Sequence, residues 1–316
     1  MARATLLDIA KLNGADKEVG LIEENLTSAP EAALFPFRTI RGTSFPTVTR
    51  NTFPGVGFRH ANEGTTATKS TFTRKLVEAY IFGGRVEVDK AVAMAHEDGM
   101  EAFEMIEASG VMKQALIEMG SQIWYGVSTD AKGFPGIKAA LPYTAGIADG
   151  SVINATGSTA STASGVYAVK FGDQDVTLIG GNGKVPELGD FRDETIYDAD
   201  SAPLPGRVAD LVGWVGLQIG NINCVRRIAN VTADSGKGLT DSLLADLLNS
   251  FPAGVRPDAI FCSRRSRLQL QKSRSAVGQV AANEGGNPAF SAMPTNYDGV
   301  PIIATDSILN TDAIES

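Results

Sequence analysis

Residues 40–82 restrict the fold more than any other part of the sequence. They are rich in Thr, Val, Phe and Arg, and the polar outer half of this segment lacks the apolar face needed to fold back onto its own core. Turn and break signals interrupt them: Pro46, Pro54, residues 55–57 and residues 62–64. The pattern predicts a two-stranded excursion, with strands at 42–53 and 70–82. Because an isolated two-stranded ribbon is marginally stable in water, we expect another copy of the chain to cover it.

The first 39 residues are predicted to be a separate helical arm. Thr5 can cap a helix over residues 6–12. After Gly14, a second stretch places Val19, Ile22 and Leu26 on one helical face, and Pro30 and Pro36 then end the helical pattern. Neither stretch is long enough to be stable without a surface to lie on, so we expect the arm to dock elsewhere.

The clearest helix is predicted at about residues 100–125, which would be close to 40 Å long. Its apolar residues recur at intervals of three and four: Met105, Ala108, Met112, Leu116, Met119 and Ile123. We interpret this stripe as the face that packs on a sheet. A pliable methionine-rich binding surface is the alternative, and it is disfavoured.

The remaining chain alternates short apolar runs with Gly, Ser, Thr and Asp. Strands are predicted at 84–88, 167–171, 176–179, 214–219, 225–228, 259–262 and 299–305. Helices are predicted at 89–96, 241–251 and 263–272. Residues 151–165 are predicted to be a mobile loop or an irregular edge, and residues 283–288 a loop.

Charge and composition exclude several classes of protein. The chain of 316 residues has 28 Lys plus Arg against 36 Asp plus Glu, a net charge of −8, which disfavours a general nucleic-acid-binding surface. Its two cysteines cannot form a disulfide scaffold, which fits a reducing compartment. We find no signal peptide and no apolar run that could span a bilayer, so a soluble protein made in a cytoplasm is expected.

No residue pattern predicts catalysis. The Gly-Lys pairs at 183–184 and 236–237 lack the rest of a phosphate loop, and residues 213–216 lack the remaining glycine spacing of a dinucleotide site. His60 and His96 lie outside any two-histidine metal motif. We therefore expect no enzyme activity, cofactor or metal, and an α+β enzyme is a minor alternative.

The predicted helix at 263–272 begins the main basic cluster: Arg264, Arg265, Arg267, Lys272 and Arg274. Cations in the first turn of a helix oppose its dipole, which suggests that they have partners. Ion pairs within the chain or between subunits are favoured, and contact with nucleic acid and plain solvation remain open.

This order of elements resembles the major capsid proteins of tailed bacteriophages. Local sequences resemble a subgroup of that family at 5–11, 56–64, 87–90, 131–136, 211–218 and 263–272. The resemblance covers essentially the whole chain, and none of these motifs is catalytic.

The resemblance implies an α+β fold, the tailed-phage major capsid fold, with a long spine helix, a two-stranded E-loop, a P-domain and an A-domain. The implied segments are an N-terminal arm at 1–39, the E-loop at 40–82, the P-domain with its spine helix at 83–137, a β-rich insertion at 138–235, part of the A-domain at 236–290, and a C-terminal P-domain strand at 291–316.

The implied function is a coat protein that self-assembles into hexamers and pentamers of an icosahedral shell around double-stranded DNA. A shell that encloses protein cargo is the alternative. The intersubunit contacts are predicted at Arg59, Glu63, Lys69, Arg264, Arg265 and Arg267. Expected partners are further copies, a portal, possible decoration proteins and weakly held DNA, but no membrane. Because the arm begins at the first residue, any scaffolding protein is expected to be separate, with assembly in the cytoplasm of a host bacterium.

Overall fold

The computed structural model describes residues 3–13, 23, 25–281 and 292–316. Within them the helices are α1 Leu6–Leu12, α2 Glu31–Leu34, α3 Lys90–Ala93, α4 Met100–Tyr125, α5 Ile137–Ala140, α6 Tyr143–Asp149, α7 Asp241–Asn249 and α8 Arg264–Ala281. The strands are β1 Phe37–Thr39, β2 Ser44–Thr52, β3 Thr71–Glu78, β4 Tyr80–Asp89, β5 Val152–Asn154, β6 Ser164–Val169, β7 Val176–Gly180, β8 Glu187–Leu188, β9 Arg192–Tyr197, β10 Pro203–Ile219, β11 Val225–Val231, β12 Ala259–Cys262, β13 Asn296–Tyr297 and β14 Val300–Ala304.

The 17-residue strand β10 organises the first sheet. It pairs antiparallel with β4 over ten residues, from Gly206 opposite Asp89 to Val215 opposite Tyr80. On β10, residues 203–208 also pair with β9 and residues 215–219 with β7. The short strand β1 then adds parallel to β7, and β8 adds to β10. This sheet therefore joins segments that lie far apart in the sequence.

The second sheet has the order β13, β14, β12, β6, β11, β5, and both of its faces are covered. Along β6, Val166 and Ala168 pack in a cluster with leucines of α7 and α8. The alternate residues Tyr167 and Val169 pack in the cluster that contains the end of α4. Because successive side chains of a strand point to opposite faces, covering both faces buries β6, β11 and β12 completely.

The centre of the fold is an aromatic cluster around Trp124 at the end of α4. Its ring stacks on Tyr167 at 4.9 Å and lies 5.1 Å from Phe261. Its indole Nε1 donates to the Glu31 carboxylate at 3.1 Å, and the Thr305 hydroxyl donates to the same oxygen at 3.0 Å. A buried carboxylate is costly without such donors, so this site holds the chain's beginning, middle and end together.

Several predicted elements are confirmed. The helix predicted at 100–125 is α4, and the strand predicted at 259–262 is β12. Thr5 begins α1 with a reciprocal capping box that includes Asp8, and Thr240 caps α7. The irregular edge predicted at 151–165 is confirmed only for its first part, where β5 is the edge strand of the second sheet, because Ser164 and Gly165 begin the central strand β6.

Other predictions need correction. The strand predicted at 214–219 is only the end of β10, whose first part contains prolines that hid it from a pattern search. The predicted buried stripe of α4 is wrong in its middle, because Met105 is 70% exposed and Met112 and Leu116 are also exposed. The buried residues at the start of α4 are instead Phe103 and Glu104.

Two sequence predictions cannot be compared with the fold in full. The second arm stretch falls largely at 14–22, and the predicted loop falls at 283–288, both outside the described residues. The six-segment division of the chain stays a prediction. The last strand, β14, pairs with β12, and residues 138–235 supply strands to both sheets.

Two glycines of α4 provide a matched test of the packing. A Cβ at Gly120 would lie 2.5 Å from Ser307 Oγ and 2.6 Å from Glu31 Oε1, whereas a Cβ at Gly110 would meet nothing within 4 Å. We expect Gly120→Ala to lower the free energy of unfolding by about 1–3 kcal/mol through overpacking. Gly110→Ala should raise it by up to about 1 kcal/mol, because alanine favours helix. Urea denaturation of unassembled subunits measures both, and equal effects would contradict the described packing.

Candidate assembly surfaces

A two-stranded ribbon, residues 44–78, extends from the body of the subunit. Its strands β2 and β3 form a sheet of their own, paired from Ser44 opposite Glu78 to Thr52 opposite Thr71. Only Ala79 separates β3 from β4, so the ribbon continues directly from the first sheet. Hydroxyl and amide side chains link the strands near the far end. The hydroxyls of Thr52 and Thr71 lie 2.7 Å apart, and the Asn51 amide donates to the Thr73 hydroxyl at 2.6 Å.

The two faces of the ribbon differ in their surroundings. Near its base, Phe45 and Val77 pack with Ile179 of the body. The opposite face carries apolar side chains that lie in solvent, with Val48 65% exposed and Phe72 59% exposed. Strand alternation collects these residues on one side, and this face does not fold back onto the core of its own subunit.

The tip of the ribbon, residues 53–70, lies wholly outside the core. Val56 and Phe58 are fully exposed, which confirms that residues 56–68 do not pack inside their own subunit. The tip has internal order, because Arg59 donates to the Glu63 carbonyl at 2.8 Å and the Glu63 carboxylate accepts from the His60 amide at 2.9 Å. An apolar surface of this kind marks an interaction site.

The charge of the ribbon is opposite to that of the rest of the chain. Residues 44–78 contain five Lys plus Arg and two Glu, a net charge of +3. The whole chain has a net charge of −8, so the remaining residues have −11. At the far end the Arg50 guanidinium lies 5.5 Å from the centres of the Phe53 and Phe72 rings. The charges of the ribbon and of the rest of the chain are therefore complementary.

The arm's first helix docks on its own subunit. Ile9 is 1% exposed and packs with Val86 and Phe103, and the Arg3 guanidinium pairs with Glu87 at 2.7 Å. Asn13 also donates to the Ala95 carbonyl at 2.9 Å. Leu6, Leu7 and Leu26 remain exposed, so part of the apolar surface of the arm faces solvent in a single subunit.

The basic cluster on α8 makes its contacts within the chain. Arg265 donates to the carbonyls of Thr162 at 2.7 Å, Val231 at 3.1 Å and Asn310 at 3.2 Å. Burial lowers the pKa of Arg265. Arg264, by contrast, is largely exposed and pairs with Asp306 at 2.6 Å.

The last two predicted contact residues lie in different parts of the subunit. Arg267 is half-buried on α8, and Lys69 is exposed at the end of the tip. Arg274, later on α8, forms a two-pronged ion pair with Asp241 of α7. Contact with a neighbouring subunit stays a prediction for the six chosen residues, and the structure brings them together in two groups, one on the tip and one on α8.

Both cysteine thiols are buried, and the side chains that could bind a metal do not form a cluster within the described residues. The Cys224 thiol donates to Asp175 at 2.7 Å, and burial first and this hydrogen bond second raise its pKa to about 12. Burial also raises the pKa of Cys262 to about 12. Across the described residues, no three His, Cys, Asp or Glu side chains gather as metal ligands, and no helix is long and apolar enough to cross a bilayer.

Comparison with known proteins decides the family. The family model described as "Major capsid protein GP7" matches residues 38–314. The chain belongs to this family. It is a shell-forming coat protein, and the family is structural. No curated protein sequence matches the chain.

Solved structures were compared with this capsid protein, and one of them shows the same fold. The structure of bacteriophage Epsilon15 matches with a TM-score of 0.74 and 18% identity, over 99% of this chain and 97% of that one. The bacteriophage JBD30 capsid matches with a TM-score of 0.49 and 14% identity, over 97% and 99% of the two chains. The SrpI encapsulin complex of Synechococcus elongatus matches with a TM-score of 0.45 and 8% identity, over 73% and 97%. The Epsilon15 match confirms the predicted tailed-phage capsid fold.

Arg264 and Arg265 are neighbours on α8, but their substitution should affect the stability of this capsid protein differently. We expect Arg265→Ala to lower the free energy of unfolding by about 2–4 kcal/mol, because three carbonyls, among them that of the buried Val231, lose a charged donor. Arg264→Ala should change it by less than about 1 kcal/mol, since its ion pair is exposed. Urea denaturation monitored by circular dichroism measures both. A larger loss for Arg264→Ala than for Arg265→Ala would refute the assigned roles.

Proposed function

We propose that this coat protein forms hexamers and pentamers, and that these close into an icosahedral shell around double-stranded DNA. The ribbon is the observation that carries the proposal. It exposes aromatic and aliphatic side chains beyond the body, and a single subunit offers nothing to cover them. A repeated contact between identical subunits buries this surface in every copy.

The proposed division of the chain follows the same argument. Residues 1–39 would be the arm, 40–82 the E-loop that overlies a neighbour, and the body would supply the P-domain and A-domain. Arg59, Glu63 and Lys69 on the tip and Arg264, Arg265 and Arg267 on α8 are the proposed contact residues. Among them, Arg59, Glu63, Lys69 and Arg264 are exposed and so could offer charged groups to a neighbour.

The proposed partners and location are those of a virion component. A separate scaffolding protein, a portal and decoration proteins would complete the particle, which would assemble in the cytoplasm of a host bacterium. We propose that DNA is held only weakly, because a net charge of −8 opposes tight binding of phosphates. No catalytic step is proposed for the protein.

Deletion of the tip tests shell formation directly. We expect replacement of residues 53–70 by an Asn-Gly turn to leave a folded subunit, because the tip contributes nothing to the core. The variant should lose closed particles in negative-stain microscopy, while the parent protein forms them. Circular dichroism checks the fold, and normal shells from the variant would refute the role of the ribbon.

The contents of the particles test what the shell encloses. Particles from infected or co-expressing cells should contain nuclease-protected double-stranded DNA. Particles that instead retain a specific folded protein would favour the alternative of a cargo shell.

Removal of the arm tests its part in assembly. We expect deletion of residues 1–29 to leave a soluble subunit that assembles poorly, since the deletion keeps Glu31 but removes the helix docked through Ile9. The double variant Leu6→Ser with Leu7→Ser is the matched control, because it keeps Ile9 and changes only exposed side chains. Sedimentation velocity measures the assembled fraction, and closed shells at the parent yield from the deletion would contradict this role.

A further inference from the structure

The residues that follow β14 cross the body as a polar strap, residues 305–315. The strap contains no Lys or Arg, and its acidic residues are Asp306, Asp312 and Glu315. Each of these carboxylates pairs with a cation from a different element: Asp306 with Arg264 of α8 at 2.6 Å, Asp312 with Lys138 of α5 at 3.1 Å, and Glu315 with Arg227 of β11 at 2.9 Å. The Lys138 ammonium also lies 3.3 Å from Glu315, so one cation joins two strap carboxylates.

The start of the strap fastens the arm root, residues 27–31. The Ser28 amide donates to the Asp306 carboxylate at 2.9 Å, and the Asp306 amide donates back to the Ser28 carbonyl at 3.0 Å. The Thr305 hydroxyl donates to the buried Glu31 carboxylate at 3.0 Å. One oxygen of Asp306 accepts hydrogen bonds from both the arm root and α8. This carboxylate therefore ties the arm root to the body.

The far end of the strap is held at the second sheet. The backbones of Asp312 and Ala163 exchange two hydrogen bonds, at 3.0 and 3.2 Å. The Glu315 amide donates to the Asn230 side chain at 2.9 Å, and that side chain donates to the Glu315 carbonyl at 2.8 Å. Within the strap, Ile308 is the buried apolar side chain. Polar groups rather than a core of its own thus attach the strap.

Buried polar atoms without a hydrogen bond gather around the strap. In the part of the chain that the structure describes, four of these atoms are Ser307 Oγ, Asn310 Oδ1, Arg227 Nε and Arg265 Nε. The two arginines contact the strap through Glu315 and the Asn310 carbonyl. An unpaired buried polar atom costs free energy, and water can pair with it once it is exposed. We therefore expect the strap to open at a lower free energy than the sheets beside it.

We propose that residues 305–315 are a releasable strap, which fixes the arm root on the body when it is closed and frees the arm root when it opens. The proposal rests on the proposed shell function, because it gives the strap control over the arm's part in assembly. The contacts of the strap follow one another from the arm root through α8 to α5 and β11. Loosening the far end therefore loosens the arm root.

Two lysines provide a matched test that leaves the strap sequence unchanged. Lys138→Met removes the ammonium group that pairs with Asp312 and Glu315, and the other described partner of that group is the Tyr125 ring. Lys132→Met makes the same substitution at an exposed position outside α5. Amide hydrogen exchange, measured by mass spectrometry in unassembled subunits, should be about two- to fivefold faster at residues 25–34 in Lys138→Met. It should be unchanged in Lys132→Met.

A substitution at the arm root itself calibrates this effect. Asp306→Asn keeps the shape of the side chain but removes its charge, and we expect exchange at residues 25–34 to be about tenfold faster. Faster exchange confined to residues 305–316 in Lys138→Met would overturn the proposal, because the strap would then not act on the arm root. Unchanged exchange at residues 25–34 in Asp306→Asn would overturn it as well.

The assembled fraction tests the functional part of the proposal. In sedimentation velocity, Lys138→Met should yield fewer particles than the parent, and Lys132→Met should match the parent. Faster exchange in Lys138→Met with an unchanged yield of particles would overturn control of assembly by the strap. Absence of particles from the parent protein would instead reject the proposed function, while the exchange rates would still decide whether the strap holds the arm root.

A measurement on the parent protein decides the matter if a variant fails to fold. Native-state hydrogen exchange at low urea concentrations gives the free energy of opening for each segment. We expect residues 25–34 and 305–315 to share one opening free energy, which is lower than that of α4. Separate opening free energies for the two segments would overturn the proposal.

Discussion

The ten-residue ladder between β4 and β10 is the interaction on which the rest of the molecule depends. Its hydrogen bonds hold β4 in place, and only Ala79 separates β4 from β3 of the ribbon. The other side of β10 binds β9 and β7, and α4 lies against β4. The root of the ribbon is therefore paired with the first sheet, whereas its far end has no support from the body and its apolar side chains lie in solvent.

The body is complete without those side chains. Covering both faces of the second sheet buries β6, β11 and β12, and the Glu31 carboxylate joins α2, the end of α4 and the segment after β14 through two hydrogen bonds. Apolar surface remains on the ribbon, on the arm and on the middle of α4, where Met105 is 70% exposed. A stable body with unfilled apolar surfaces at its periphery is what a subunit needs when it folds alone and binds its copies afterwards.

Local signals predicted the elements well because their causes are local. A hydroxyl at an N-cap and a run of spaced apolar residues act within one or two helical turns, as at Thr5 and Thr240, and they located α1, α4 and α7. The basic residues of α8 were recognised, but their partners were not. Arg265 binds carbonyls at Thr162, Val231 and Asn310, and nothing in the local sequence connects these positions.

The sequence by itself determined α1, α3, α4, α7 and the first half of α8, most strands, the separate ribbon and the family to which the chain belongs. Tertiary structure decided which face of α4 is buried, because α1 and β4 occupy its other sides and leave Met105 and Met112 in solvent. It also decided that β10 runs through prolines and that Arg265 binds the carbonyls of three distant segments. These features depend on contacts between residues up to a hundred positions apart, and such contacts leave no periodic signal in any one segment.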